Sequence, residues 1–559
     1  MLLIGNTVAI SRDYQDSWIL EGLEVPFILF VITYAIAFFR ETKTLRMVVL
    51  AAIGRTVFLL IPNLKYVWFQ GTFIDQYVQY ALANYVYSVG HIFTLNTFYF
   101  TPYITTPLIH LSFSIFSIVS NVSVVDSMKY LPVLWSPIYP LLTYIIVEKM
   151  EFTQQSGLLR YALFFSSVPI SGDQYGVTGG LFGGLLAFLV LAILVVVLQK
   201  KNRLLWVVCT VFVFALAAGH SVTSIILSVC LLLIVAIQRF SRLLPRLHLQ
   251  ASAALAFASI SAAWLMFIAS STLQSISSLF FVAVPTGATP ASEYISTAFF
   301  EHLRANFLSA IKSFIVFYGA DALFLILSLG GLIILLRRRK KLNSAASLLL
   351  LFGGLILLLI VAGYFLKVGA PRLLFFMKLL YPVFAGLFVL QISARVRSRK
   401  VRTGILAGII LSVMLLATIE LYGCQPLISS ANVLYKGLPA DVPISYVNVV
   451  NSIYQRQVIG FAANHINGII AAEYTTTDEI IGLTPINYSM THVVDYYPID
   501  TTQPTMSYDY FIIQLPGRSG SPPEVPPPLK TTEIISEYIR NSSIIYTNGE
   551  SYILGQHLR

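Results

Sequence analysis

Two carboxylates stand out for where they sit. Asp75, in FIDQYVQYALANYVYSVGHI, and Asp173, in SSVPISGDQYGVTGG, lie in segments too short or too apolar to need a charge for solubility. A carboxylate so placed can act as general base toward a hydroxyl acceptor. It can equally hold a divalent cation such as Mg or Mn through oxygen ligands. For Asp75 a helix N-cap is the plain alternative, because a helical run follows it. The cationic counterpart is Arg372 with Lys367, in GYFLKVGAPRLLFFMKLLYP. A guanidinium grips phosphate through two parallel hydrogen bonds, so at headgroup level the two could hold a phospholipid or a polyprenyl phosphate; snorkelling anchors are the alternative. Arg55 lies inside an apolar run and needs an acidic or carbonyl partner there, for structure or for substrate binding. His91 and His110 share a segment with Asp75, either as substrate-binding groups or as packed, hydrogen-bonded histidines, and His220 sits at the turn AAGHSV.

The elements that must position these groups are set by composition. Of 559 residues, 57% are hydrophobic and 11% charged, with a mean hydropathy of +0.78. Soluble domains average about 25% charged residues. Disorder, a collagen-like repeat and an ordinary cytosolic enzyme are excluded; lipid is the solvent. Cys209, Cys230 and Cys424 build no disulfide framework, and there is no CxxC, HExxH or Walker-type loop. With about 20 apolar residues needed per spanning helix, twelve spans are predicted: 20–39, 47–63, 126–147, 159–170, 178–198, 204–218, 221–238, 249–270, 313–336, 344–363, 373–394 and 404–422. The acidic flank of the first (Asp13, Asp16, Glu21, Glu24) makes it no cleavable signal peptide. Basic clusters (Arg40/Lys43/Arg46, Lys149 with Arg160, Lys200/Lys201/Arg203, Arg239/Arg242/Arg246, Arg337 to Lys341, and Arg395 to Arg402) fall at every second connection. Positive loops stay cytoplasmic, so both termini and the segments bearing Asp75 and Arg372 are expected on the extracytoplasmic side of a cell membrane. The net charge of +11 is then topogenic and gives no support to a nucleic-acid partner.

The outer segment 64–125 is too apolar for a free loop. Stretches 74–88 and 105–119 read as helices lying at the membrane surface, where aromatic rings settle; a true span at 104–122 is the alternative. The sequons at Asn121, Asn487 and Asn541 all fall on the outer side. A break in composition marks the end of the bundle: residues before 423 hold 30 Lys+Arg against 14 Asp+Glu, the rest 6 against 11. The expected organisation is a transmembrane bundle, 1–422, followed by an extracytoplasmic domain, 423–559. That domain has strand-like runs (NGIIAAEY, YFIIQL, SIIYTNGESYIL), one helical stretch (443–466) and a Pro-rich loop (519–530). The fold class is thus a polytopic α-helical membrane protein of about 12 transmembrane helices, with interfacial helices in its first large outer loop and a C-terminal α/β or α+β domain.

Taken together, the Arg55 span, the acidic residue in FIDQYVQYALANYVYSVGHI, the stretch YFTPYITTPLIHLSFSIFSI and the span opening at LPVLWSPIYPLLTYII resemble the GT-C superfamily of integral-membrane glycosyltransferases. Its protein O-mannosyltransferases and aminoarabinose transferases are the nearest in pattern. The resemblance implies that Asp75 is the catalytic Asp of the first outer loop, deprotonating the acceptor hydroxyl, and that Arg372 contacts the donor phosphate, alone or with Lys367. The implied reaction is transfer of a sugar from a polyprenyl-phosphate donor to a glycan, lipid or protein acceptor on the outer face. Asp75 is followed by Gln76 where O-mannosyltransferases have Asp-Glu, there is no DxD, and the oligosaccharyltransferase signature WWDYG is absent. A polytopic transporter or flippase, and a non-catalytic cell-envelope glycan assembly protein, are the competing classes. Against the first, no repeated halves are seen and the acids gather at one face rather than at mid-depth.

Overall fold

The computed structural model describes residues 17–64, 75–91, 104–152, 154–169, 179–199, 203–240, 251–270, 307–365 and 370–423, together with five strands between 470 and 556. The helices are α1 (Ser17–Arg40), α2 (Thr44–Leu64), α3 (Asp75–Val89), α4 (Leu108–Ser120), α5 (Val124–Trp135), α6 (Ile138–Met150), α7 (Gln155–Ser167), α8 (Gly179–Gln199), α9 (Arg203–Gly219), α10 (Ser221–Phe240), α11 (Ala251–Phe267), α12 (Phe307–Arg337), α13 (Ser344–Phe365), α14 (Ala370–Arg395) and α15 (Arg399–Gly423). All twelve predicted spans fall on helix. By length and composition, seven helical stretches among the described residues can cross a membrane: Val124–Met150, Phe182–Gln199, Ser221–Arg239, Gly319–Arg337, Ser344–Ala362, Phe376–Arg395 and Arg399–Thr418.

Two predicted spans differ instructively. The segment 126–147 is two helices, α5 and α6, which break at Ser136–Pro137 because proline has no N–H to continue the ladder. The segment 159–170 is α7, which begins earlier, at Gln155, and has 13 residues. At 1.5 Å per residue it is only about 20 Å long, short of the roughly 30 Å hydrocarbon layer. It is instead enclosed by protein, with Leu158, Ala162, Leu163, Phe164, Phe165, Ser166 and Ser167 all buried. In the segment 64–125, α3 and α4 coincide with the two stretches read as helices, 74–88 and 105–119. At 13 residues α4 is also about 20 Å long. It ends on Asn121 in the left-handed conformation (φ 51°), and α5 starts on Ser123, whose Oγ accepts from the Asp126 N–H at 3.0 Å.

The core is aromatic at one end of the chain and small-against-large at the other. Tyr34, Phe38, Phe58 and Phe164 form a ring cluster joining α1, α2 and α7. α12 crosses α14 where Gly331 faces the Phe384 backbone, and α14 approaches α7 where Gly386 faces the Ala162 backbone. Glycine lets two backbones meet at each place, as helix pairs in lipid require. The C-terminal end of α6 is capped from three directions. Gln155 Nε2 donates to the Glu148 carbonyl at 3.0 Å, and the Lys149 carbonyl accepts from Gln199 Nε2 (2.6 Å) and Asn343 Nδ2 (2.7 Å).

Beyond Gly423 the described residues form a five-stranded sheet of order β2-β1-β3-β5-β4, made of β1 (Ile470–Ala472), β2 (Val493–Asp495), β3 (Tyr510–Gln514), β4 (Ser542–Thr547) and β5 (Ser551–Gln556). β1 pairs parallel with β2 and β3, while β5 pairs antiparallel with β3 and β4. β1, β3, β4 and β5 coincide with the expected strand-like runs, and β2 was not foreseen. The helical stretch 443–466 and the Pro-rich loop lie outside the described residues.

Candidate functional site

Asp75 is the first residue of α3 and Arg372 the third residue of α14. Their side chains lie outside the described residues, as do Asp173 and Lys367 altogether. The elements around them are described. α3 packs on α4, where Ser114 Oγ donates to the Ala83 carbonyl at 2.7 Å. Trp264 Nε1 of α11 donates to the Thr105 carbonyl at 3.0 Å, tying the approach to α4 to the bundle. Trp135 of α5 stands between Phe113 of α4 and Phe182 of α8, with ring centroids at 6.0 and 5.1 Å. This segment is therefore docked directly on α5 and α11, and through Trp135 it abuts α8.

Arg55 is buried in α2. Its Nη1 donates to the Ser166 carbonyl at 2.8 Å, and its guanidinium carbon lies 4.3 Å from the centre of the Tyr139 ring. The carbonyl belongs to the last turn of α7, where carbonyls lack helical partners and attract a cation. Arg55 thus takes the carbonyl partner it was expected to need and joins α2, α6 and α7. His110 is fully buried in α4, whereas His91 is exposed, directly after Gly90 (φ 85°) at the end of α3. His220 pairs through Nδ1 with Thr223 Oγ1 at 2.5 Å, in the cap of α10.

The sequence reading missed one pair. Lys378 Nζ of α14 lies 2.7 Å from Asp321 Oδ2 of α12, with side chains 10% and 9% exposed. Phe324 stacks on Tyr381 beside it, centroids 6.0 Å apart and rings 11° from parallel. A signal was present: Asp321 is the one acidic residue in the ranges of α12, α13 and α14. It precedes Arg337 by 16 residues, and Lys378 precedes Arg395 by 17, so both stand about 24–26 Å of helix from their basic ends. Arg338 Nη2 donates to Gln391 Oε1 at 3.0 Å, bringing those ends together. Two opposite charges at matched depth in neighbouring spans are expected to pair.

Among the described residues, no three His, Cys, Asp or Glu side chains converge as a metal cage needs. Cys209 and Cys230 are buried free thiols.

No protein-family model matches the sequence, and no curated protein matches it. Among solved structures, the chain is similar to the archaeal oligosaccharyltransferase AglB from Archaeoglobus fulgidus in complex with an inhibitory peptide and a dolichol-phosphate (11% identity, 81% of this chain and 64% of that chain, TM-score 0.47). It is similar to ArnT from Cupriavidus metallidurans in the apo state (10% identity, 91% of this chain and 97% of that chain, TM-score 0.48). The form of ArnT bound to undecaprenyl phosphate gives 10% identity over the same shares, with a TM-score of 0.46. This chain thus spans less than two thirds of the archaeal protein and nearly all of ArnT.

Proposed function

We propose that the chain is a membrane glycosyltransferase that moves a sugar from a polyprenyl-phosphate-linked donor to an acceptor at the extracytoplasmic face. The observation that carries this reading is the docking of α3 and α4. They are short helices following the end of α2 opposite its basic flank, held to each other through Ser114 and Ala83 and on the bundle through Thr105 and Trp135. A segment fixed in that way supports a catalytic carboxylate at its first residue, Asp75, better than a free loop does.

In this reading the Asp75 carboxylate takes the proton of the acceptor hydroxyl. The acceptor oxygen forms its bond to the anomeric carbon of the donor. The bond from that carbon to the phosphate oxygen breaks, and its electron pair leaves on the phosphate. Arg372, with Lys367, stabilises the charge that develops there, worth roughly a few kcal/mol per well-placed donor. Arg55 orients α2 through Ser166 rather than touching substrate. A divalent cation, Mg or Mn, on Asp75 and Asp173 is a finer form of the same proposal; chelation followed by add-back of either ion reads it out.

The test is Asp75→Asn in purified membranes, assayed for sugar transfer from a polyprenyl-phosphate donor. Transfer is expected to be lost at unchanged expression, and full activity would remove the proposed base. The buried Asp321–Lys378 pair gives one ground for a second reading, because transporters place such pairs in their pathways. Reconstituted vesicles that accumulate a solute while forming no glycosidic bond would favour it.

A further inference from the structure

An ion pair buried among helices in lipid is a poor source of stability. Two charges must be desolvated, and apolar residues of similar volume hold helices about as well. The Asp321–Lys378 pair therefore calls for a role that depends on where it holds α14. It lies on the side of the Gly331–Phe384 crossing that is away from the basic ends: Asp321 is ten residues from the crossing and Lys378 six. Between that crossing and the pair, α12 and α14 also meet where Ser328 Oγ donates to the Tyr381 carbonyl at 3.4 Å and where Phe324 stacks on Tyr381. Of these contacts the ion pair is the one nearest Arg372 along α14. Arg372 stands six residues further along α14, about 9 Å of helix from Lys378.

We propose that Asp321 and Lys378 are positioning residues for lipid-phosphate binding. By clamping the far half of α14 to α12, the pair sets the height and rotation of the turn that carries Arg372, so that a polyprenyl phosphate meets it. The inference rests on the glycosyltransferase reading above and names a further part of the same site. Neither residue touches the reacting atoms.

The test uses the full chain in lipid nanodiscs, with undecaprenyl phosphate as the probe and native mass spectrometry as the binding readout. In Asp321→Leu/Lys378→Met both charges are replaced by apolar side chains, so no ion is stranded. The expected result is an unchanged apparent melting temperature with undecaprenyl phosphate affinity lowered about tenfold or more, the scale of an ångström-level misplacement. A purely structural pair would not separate these two readouts. Wild-type affinity in the folded double variant overturns the inference and leaves the function reading standing. Failure of the wild-type protein to bind undecaprenyl phosphate overturns both. If the double variant is not recovered folded, Asp321→Glu decides, since it keeps both charges and moves the anchor by one methylene. Weakening of about threefold or more supports the clamp, and unchanged affinity overturns it.

Discussion

Gly331→Ala tests the crossing on which α12 and α14 turn. A Cβ built at Gly331 would stand 2.6 Å from the Phe384 carbonyl carbon and 2.8 Å from its Cα, with the carbonyl oxygen nearer still. All three are backbone atoms, so no rotamer change relieves the contact. Carbon atoms settle about 3.5–4.0 Å apart, so the two helices must part by roughly 1 Å at this point. Overpacking of that kind costs about 1–3 kcal/mol, against a helix-propensity gain of about 1 kcal/mol from replacing glycine. A net loss is expected, visible as a fall in apparent melting temperature of the purified protein in detergent. The neighbouring Gly354, in α13, provides the control, because its Cβ would meet nothing within 4 Å. Gly354→Ala should match or exceed the wild type. The same parting acts on the 2.7 Å Asp321–Lys378 contact further along the two helices. A Gly331→Ala protein that melts with the wild type would refute the crossing geometry and the leverage argued from it.

Arg372→Ala should weaken donor use in sugar transfer, read as the transfer rate across a donor titration, by about a hundredfold, as expected for losing a well-placed phosphate donor; an unchanged donor titration would leave Arg372 an interfacial anchor. Arg55→Lys should destabilise the protein by about 2 kcal/mol, since an ammonium loses the guanidinium's planar approach to Tyr139 while keeping the charge, and thermal melting reads this out. Glu41, between α1 and α2, accepts from the Lys43 and Thr42 N–H groups and faces Arg46, and these hold its carboxyl below the usual value of 4.5. A lowered folded value means that its contribution is full above the ordinary range and lost as pH falls through the lowered one. Glu41→Gln should therefore lower the melting temperature slightly in the neutral region, where the ionised carboxylate contributes fully, and flatten that part of the acid limb.

What was legible in the sequence followed from burial. Apolar runs in lipid must be helical because no water satisfies their backbone, so all twelve predicted segments fall on helix, 126–147 on two, and most bounds agree to within a few residues. The run 159–170 misled for a physical reason. The stretch of α7 from Ala162 to Phe165 is apolar because protein surrounds it, and hydropathy does not distinguish that from a helix surrounded by lipid. β2 was missed because three residues, Val493–Asp495, carry too little alternation to stand out. In the candidate site, the partner of Arg55 was legible as a type, a carbonyl or an acid. Its address was not, because Ser166 lies 111 residues away. Asp321 and Lys378 were legible together, by matched distance from their basic ends, but neither draws attention alone.

The same central helix accounts for how two distant parts of the chain can serve one site. α7 receives Arg55 of α2 through its Ser166 carbonyl and receives α14 through the approach of Gly386 to Ala162. α2 leads directly into the segment that begins α3 at Asp75, and α14 carries Arg372 and Lys378. The proposed base and the proposed phosphate-binding end are thus both referenced to α7, one through a hydrogen bond from a buried cation and the other through backbone packing. The first tie is fixed by the burial of Arg55 between the Ser166 carbonyl and the Tyr139 ring; the second needs no side chain at all. The enclosed part of α7 is its C-terminal half, Ala162 to Ser167, while Ser156 near its start is exposed. Both ties, at Ala162 and at Ser166, fall in that enclosed half.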